Sequence, residues 1–220
     1  MMQMGIPHID PYPMPREDEL PAGPAGWRPD PARAMLLVHD MQQYFLRPFT
    51  ADASPAAELV SNIAALLAAC RRLGVPVAYT AQPGDMSDRD RGLLKDVWGS
   101  GMDATPEQRA IVPPLEPAGS DLVLTKWRYS AFHRTSLLAD MRRAGRDQLV
   151  ICGVYAHVGC LMTACDAFSH DIEPFLVADA TADFDARYHR LALDYAAERC
   201  ARVASTRGVL EQLGAAAVAR

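Results

Sequence analysis

From Ala34 onward the chain alternates between two hydrophobic patterns. Short, near-continuous apolar runs recur at 34–39 (AMLLVH), 75–81 (VPVAYTA), 121–126 (DLVLTK), 148–154 (QLVICGV), 174–178 (PFLVA) and 201–205 (ARVAS). Runs of this kind, without strict polar alternation, are what a parallel sheet covered on both faces requires. Between them lie stretches of helical spacing. The clearest takes Ser54 as N-cap and Pro55 as its first residue, continues to Leu73 and stops at Gly74. Others span 134–144 before Gly145, then 158–169, 186–200 and 209–218. The alternation predicts right-handed βαβ crossovers and an α/β, Rossmann-like, doubly wound parallel sheet of about six strands with helices on both faces.

Residues 1–33 break the pattern, because they hold eight of the 17 prolines. Such a stretch is neither helix nor central strand but an extended, polyproline-like arm. Ile6, Ile9, Tyr12, Met14 and Trp27 give it apolar anchors, so it is expected to lie on the surface of a single domain formed by 34–220. A free leader is the plainer alternative. No internal repeat or low-complexity linker divides the domain. The other irregularity is the long connection 82–120, which contains a capping-box start for a short helix, Thr105-Pro106-Glu107-Gln108. Connections beyond about 15 residues are often binding loops or lids, and open α/β sheets bind ligands beyond the carboxyl ends of their strands. Chemistry is therefore sought at the strand ends and in this loop.

Composition narrows the partners. The 22 basic and 27 acidic residues leave a net charge of −5, which opposes nucleic-acid binding. No apolar run approaches the roughly 20 residues needed to span a bilayer. The start, MMQMGIPHIDPYPMPRE, lacks a secretory signal. Five cysteines with no C-x-x-C pair fit reduced thiols in a cytoplasm. The six histidines are scattered, so neither a metal nor a cofactor is expected. Gly99-x-Gly101-x-x-Ala104 imitates a dinucleotide fingerprint but sits inside the loop rather than after the first strand.

Three strand ends carry candidate chemistry. Asp40 follows the first run (LLVHD), where partial desolvation suits an acid or base; a loop Asp bonding nearby amides is the bland alternative. Lys126 ends the third run (LTKW). It is one of only two lysines against 20 arginines, and Arg cannot replace a compact amine. If the third strand neighbours the first, ammonium and carboxylate meet at one edge; otherwise Lys126 is a surface charge. The fourth run enters GVYAHVGCLMTACDA, placing the amides of 158–160 at a helix N-terminus suited to an anion. There Cys160 is either a nucleophile with a depressed pKa or a small buried residue.

Taken in order, LLVHDMQQYF, AYTAQPG, RGLLKDVWGSGM, LTKWRYSAF, CGVYAHVGC and DIEPFLVADATADF resemble the isochorismatase-type hydrolases, over about Ile6 to Leu210. The similarity is strongest to members that act on 2-amino-2-deoxyisochorismate in phenazine synthesis, and to the isochorismatase domain of siderophore synthesis. The resemblance implies a Rossmann-like homodimer that binds a small dicarboxylate and releases pyruvate from its enolpyruvyl vinyl ether. It implies Asp40 as general acid with Lys126 beside it, Gln82 and Arg91 on the carboxylates and polar groups, and Tyr155 and Gly159 lining the pocket. Phe45, Trp98 and Tyr129 are expected as apolar walls. Related amidases use Asp, Lys and a nucleophilic Cys, but that Cys falls at Gly159 here, as it does in isochorismatases, whose substrate needs no covalent catalysis. An amidase using Cys160 is the alternative.

Overall fold

The computed structural model describes residues 5–218. Each predicted run yields a strand: β1 (Ala34–His39), β2 (Val77–Ala81), β3 (Leu122–Thr125), β4 (Gln148–Val154), β5 (Glu173–Ala182) and β6 (Arg202–Ala204). They pair in parallel in the order β3-β2-β1-β4-β5-β6. Helices α1 (Gln43–Leu46) and α2 (Ala56–Leu73) follow β1. Three short helices, α3 (Asp88–Arg91), α4 (Leu94–Trp98) and α5 (Pro106–Arg109), punctuate the long connection. Beyond β3 come α6 (Leu137–Arg143), α7 (Leu161–Ser169), α8 (Ala186–Arg199) and α9 (Thr206–Val218). No helix among the described residues is long and apolar enough to cross a membrane.

The packing accounts for the unbroken apolar runs. Alternate residues of a strand face opposite sides, and both sides of the inner strands β1 and β4 are covered, whereas Val123 of the edge strand β3 is exposed. Ala34, Leu36 and Val38 of β1 join Leu59, Ile63 and Leu66 of α2 and Val209 and Leu213 of α9. Met35 and Leu37 face the opposite layer, with Leu137 and Met141 of α6, Leu161 of α7 and Leu193 of α8. Strand order reverses between β1 and β4, so a crevice opens at their carboxyl ends.

Several boundaries differ from expectation for local reasons. The first long helix starts at Ala56, because the Ser54 hydroxyl accepts the Met14 N–H (3.0 Å) instead of capping it. Its end is as predicted, with Gly74 in the left-handed region at φ +68°, where a side chain would be strained. The strand predicted at 174–178 continues to Ala182. A π-helical turn, Ala156–Cys160, precedes α7. One adjacency is corrected: β3 pairs with β2, through Thr125 beside Ala81, and not with β1. The arm lies along the domain, with Ile9 and Tyr12 buried and the Ile9 N–H donated to Pro48 O at 2.9 Å.

Candidate active site

Asp40 is the first residue past β1 and takes a φ of +51°, which Asp tolerates better than most residues. Its N–H is donated to Thr80 on β2. Its carboxyl accepts twice: Oδ1 from the Thr80 hydroxyl at 2.6 Å, and Oδ2 from Lys126 Nζ at 2.7 Å. Lys126 arrives by an unexpected route. Its N–H extends the ladder to Ala81 O (2.9 Å), and its side chain crosses the end of β2 to reach Asp40. Both groups are almost wholly buried, at 4% and 2% exposure.

His39, just before Asp40, is fully buried. Its Nδ1–H is donated to Val154 O at 2.9 Å, and the same nitrogen lies 3.8 Å from Asp40 Oδ2. Burial, reinforced by the Lys126 charge, pushes its pKa down to about 4, so the ring is neutral. Its Nε2 makes no close hydrogen bond among the described residues, and the Tyr129 backbone lies near the ring.

Gln82 follows β2, and Gln42 pins its backbone: Gln82 N–H donates to Gln42 Oε1 (2.8 Å) and Gln82 O accepts from Gln42 Nε2 (3.0 Å). The Gln82 side-chain oxygen accepts from Arg91 Nη1 at 3.3 Å. Arg91 ends α3 and donates Nε to Gly99 O at 2.9 Å. No carboxylate among the described residues lies within ion-pairing distance of it. Burial first, then the neighbouring Arg128 charge, lowers its pKa from the ordinary value. Arg128 donates to the backbone carbonyls of Asp90 and Trp127 (2.8 and 2.6 Å) and forms no ion pair among the described residues.

Tyr155 opens the turn after β4. Its hydroxyl is donated to Phe45 O at 2.7 Å, so the residue offers the cleft its ring rather than a free phenol. The amides of Val158, Gly159 and Cys160, expected to be available to an anion, all donate to Tyr155 O at 3.0–3.2 Å. The carboxyl group at this turn belongs to the protein. Asp183 accepts the His157 N–H with Oδ2 (2.6 Å), and its Oδ1 lies 2.7 Å from His157 Nδ1. Cys160 is likewise corrected as a candidate nucleophile. It is fully buried in the layer of α6, α7 and α8, and burial pushes its thiol pKa well up, opposite to what a nucleophile needs.

The structure brings Asp40, Gln82, Arg91, Lys126, Tyr155 and Gly159 to the wall of one cleft, with Phe45, Trp98 and Tyr129. The cleft holds about 550 Å³ of space free of protein atoms, mouth included. Trp98 Nε1 donates to the Tyr129 hydroxyl (2.9 Å), joining two apolar walls. The wall residues that sequence reasoning missed include Arg128 and Phe184. Arg128 stands in the recognised LTKWRYSAF segment, two residues past Lys126. Phe184 closes the recognised DIEPFLVADATADF segment, two residues past the end of β5.

The isochorismatase domain model matches residues 34–208. The chain is 58% identical over 207 residues to "Phenazine biosynthesis protein PhzD1" of Pseudomonas aeruginosa, covering 94% of this chain and 99% of that protein. It is 55% identical over 210 residues to "Isochorismatase" of Bacillus subtilis, covering 96% of this chain and 67% of that protein. Among solved structures, a cysteine hydrolase from Pseudomonas syringae pv. phaseolicola superposes with a TM-score of 0.81 at 26% identity, covering 89% of this chain and 98% of that one.

Proposed function

The chain belongs to the isochorismatase family of hydrolases, and from that premise we propose that its cleft cleaves the enolpyruvyl vinyl ether of isochorismate or 2-amino-2-deoxyisochorismate. The observation that carries this reading is the charge of the cleft wall. Arg91, Lys126 and Arg128 face a single carboxylate, Asp40, an excess of two positive charges. A substrate with two carboxylates neutralises that excess, whereas a neutral amide leaves it uncompensated. Arg91, buried without an ion-pair partner among the described residues, is suited to a carboxylate through its planar fork.

In this reading Asp40 hands a proton to the terminal vinyl carbon, forming an oxocarbenium ion. Water adds to that cation, and the hemiketal collapses to pyruvate and the ring alcohol. The Thr80 hydroxyl and the Lys126 ammonium fix the orientation of the Asp40 carboxyl at the end of β1. Lys126 then keeps the acid in place and limits its repulsion from the substrate. Gly159 and the aromatic walls shape the cleft around the ring.

In isotopically heavy-oxygen water the ring alcohol should retain its ordinary oxygen, because water attacks the pyruvyl carbon. Heavy oxygen in the ring product would overturn the mechanism. Asp40→Asn should lower kcat for pyruvate release by at least about 100-fold with little change in fold, and near-normal turnover would remove Asp40 as the acid. Parallel assays of the two substrates decide between hydroxyl and amine on the ring; the similarity to phenazine-pathway members favours the amine. The family resemblance also supports a homodimer, and light scattering at about twice the mass of the 24.0 kDa chain is the expected result.

A further inference from the structure

Gly159 lines the cleft, yet what forbids a side chain there lies on the protein side. A Cβ added to Gly159 would stand 2.1 Å from Cε1 of His39, 2.9 Å from its Nε2 and 3.0 Å from its Nδ1. Favourable carbon–carbon contacts need about 3.5–4.0 Å, so the imidazole must move before any side chain fits. It is poorly free to do so. The ring is fully buried, and its Nδ1–H is tied to Val154 O in the chain leading into the same turn. His39 is also a polar choice of filler: its buried Nδ1–H needs the Val154 carbonyl, a demand that an aliphatic residue would not make.

We propose that His39 is a specificity-determining residue for the reaction class: its ring claims the space at position 159, so no nucleophilic side chain can stand on the cleft floor. The fold itself accommodates a cysteine-dependent hydrolase, and His39 withholds that option here. The course left open is proton transfer from Asp40. The meaning of the pair for catalysis rests on the vinyl-ether reading; the steric exclusion does not.

The test compares the wild type with H39V, G159C and H39V/G159C, measuring Tm and alkylation of the introduced thiol by iodoacetamide, followed by peptide mass mapping. G159C should lower Tm by at least about 5 °C. H39V/G159C should regain most of that loss, and its introduced thiol should be alkylated in the folded protein at least about tenfold faster than the buried Cys160. A G159C protein as stable as the wild type, or a double variant no more stable than the two separate losses combined, overturns the exclusion. A stable double variant whose new thiol stays inert overturns the specificity role, since a purely structural partner would restore Tm alone. If G159C yields no folded protein, G159A and H39V/G159A carry the same comparison of Tm, and failure of both to fold also overturns the exclusion. Pyruvate release by the wild type is assayed separately. Its absence removes the vinyl-ether reading, and with it the catalytic meaning of the pair, while the measured coupling still decides the exclusion.

Discussion

Two histidines of this chain are held neutral by burial. Burial pushes both His39 and His189 down to about 4 from the ordinary value near 6.5. His39 sits beside the Lys126 ammonium, while Nδ1 of His189 meets the Tyr12 hydroxyl at 3.2 Å. Below about pH 6.5 the unfolded chain binds protons that the folded one refuses, so stability falls as pH drops towards 4 and is unaffected by these groups above that window. Each should contribute a slope of about 1.4 kcal/mol per pH unit, accumulating to about 3 kcal/mol. Urea melts between about pH 7 and 5 measure it, and His189→Gln should flatten the slope by one proton's worth. Asp40 and Lys126 were legible as candidates because each closes an apolar run. His39 was not, since nothing local to LLVHD marks which face its ring takes.

The long connection behaves as part of the site because one side chain anchors it to the sheet. Gln42 holds both backbone groups of Gln82 and also donates to Arg109 O at 3.0 Å, at the end of α5. The Val112 N–H returns to Met41 O at 2.9 Å. This closes a loop that carries Arg91 and Trp98 over the cleft. Gln42→Leu strands one amide N–H and two carbonyls, at about 1–3 kcal/mol for each group left unsatisfied. It should lower Tm by several degrees and raise KM by about tenfold, because Arg91 and Gln82 lose their fixed relation. An unchanged KM would show that the loop is positioned by other contacts. The strands and long helices were readable from periodicity. The short helices α3 and α4 were not, because four- and five-residue turns leave no periodic trace.

At the scale of the whole molecule, the Pro-rich arm is tied to the domain on the β5–α8 side. The Tyr12 hydroxyl accepts the Asp183 N–H at 2.7 Å and lies beside His189. Asp183 in turn caps the His157 turn that carries Gly159 towards the cleft. Tyr12→Phe leaves a buried N–H unpaired, a loss of about 1–3 kcal/mol, seen as a lower Tm and as faster proteolysis within the arm. Unchanged stability and proteolysis would leave the arm without a share in holding the domain.

Hydrophobic period, strand-end residues and helix stops are local properties, and they determined a doubly wound parallel sheet with the candidate site residues at its carboxyl edge. Which strands adjoin, and therefore how Lys126 crosses β2 to meet Asp40, depends on contacts between residues 86 positions apart. So does the filling of position 159 by the His39 ring and the burial of Cys160 away from the cleft. Close packing lets one group occupy a given volume, and a neighbour distant in sequence leaves no mark on the local pattern that periodicity reads.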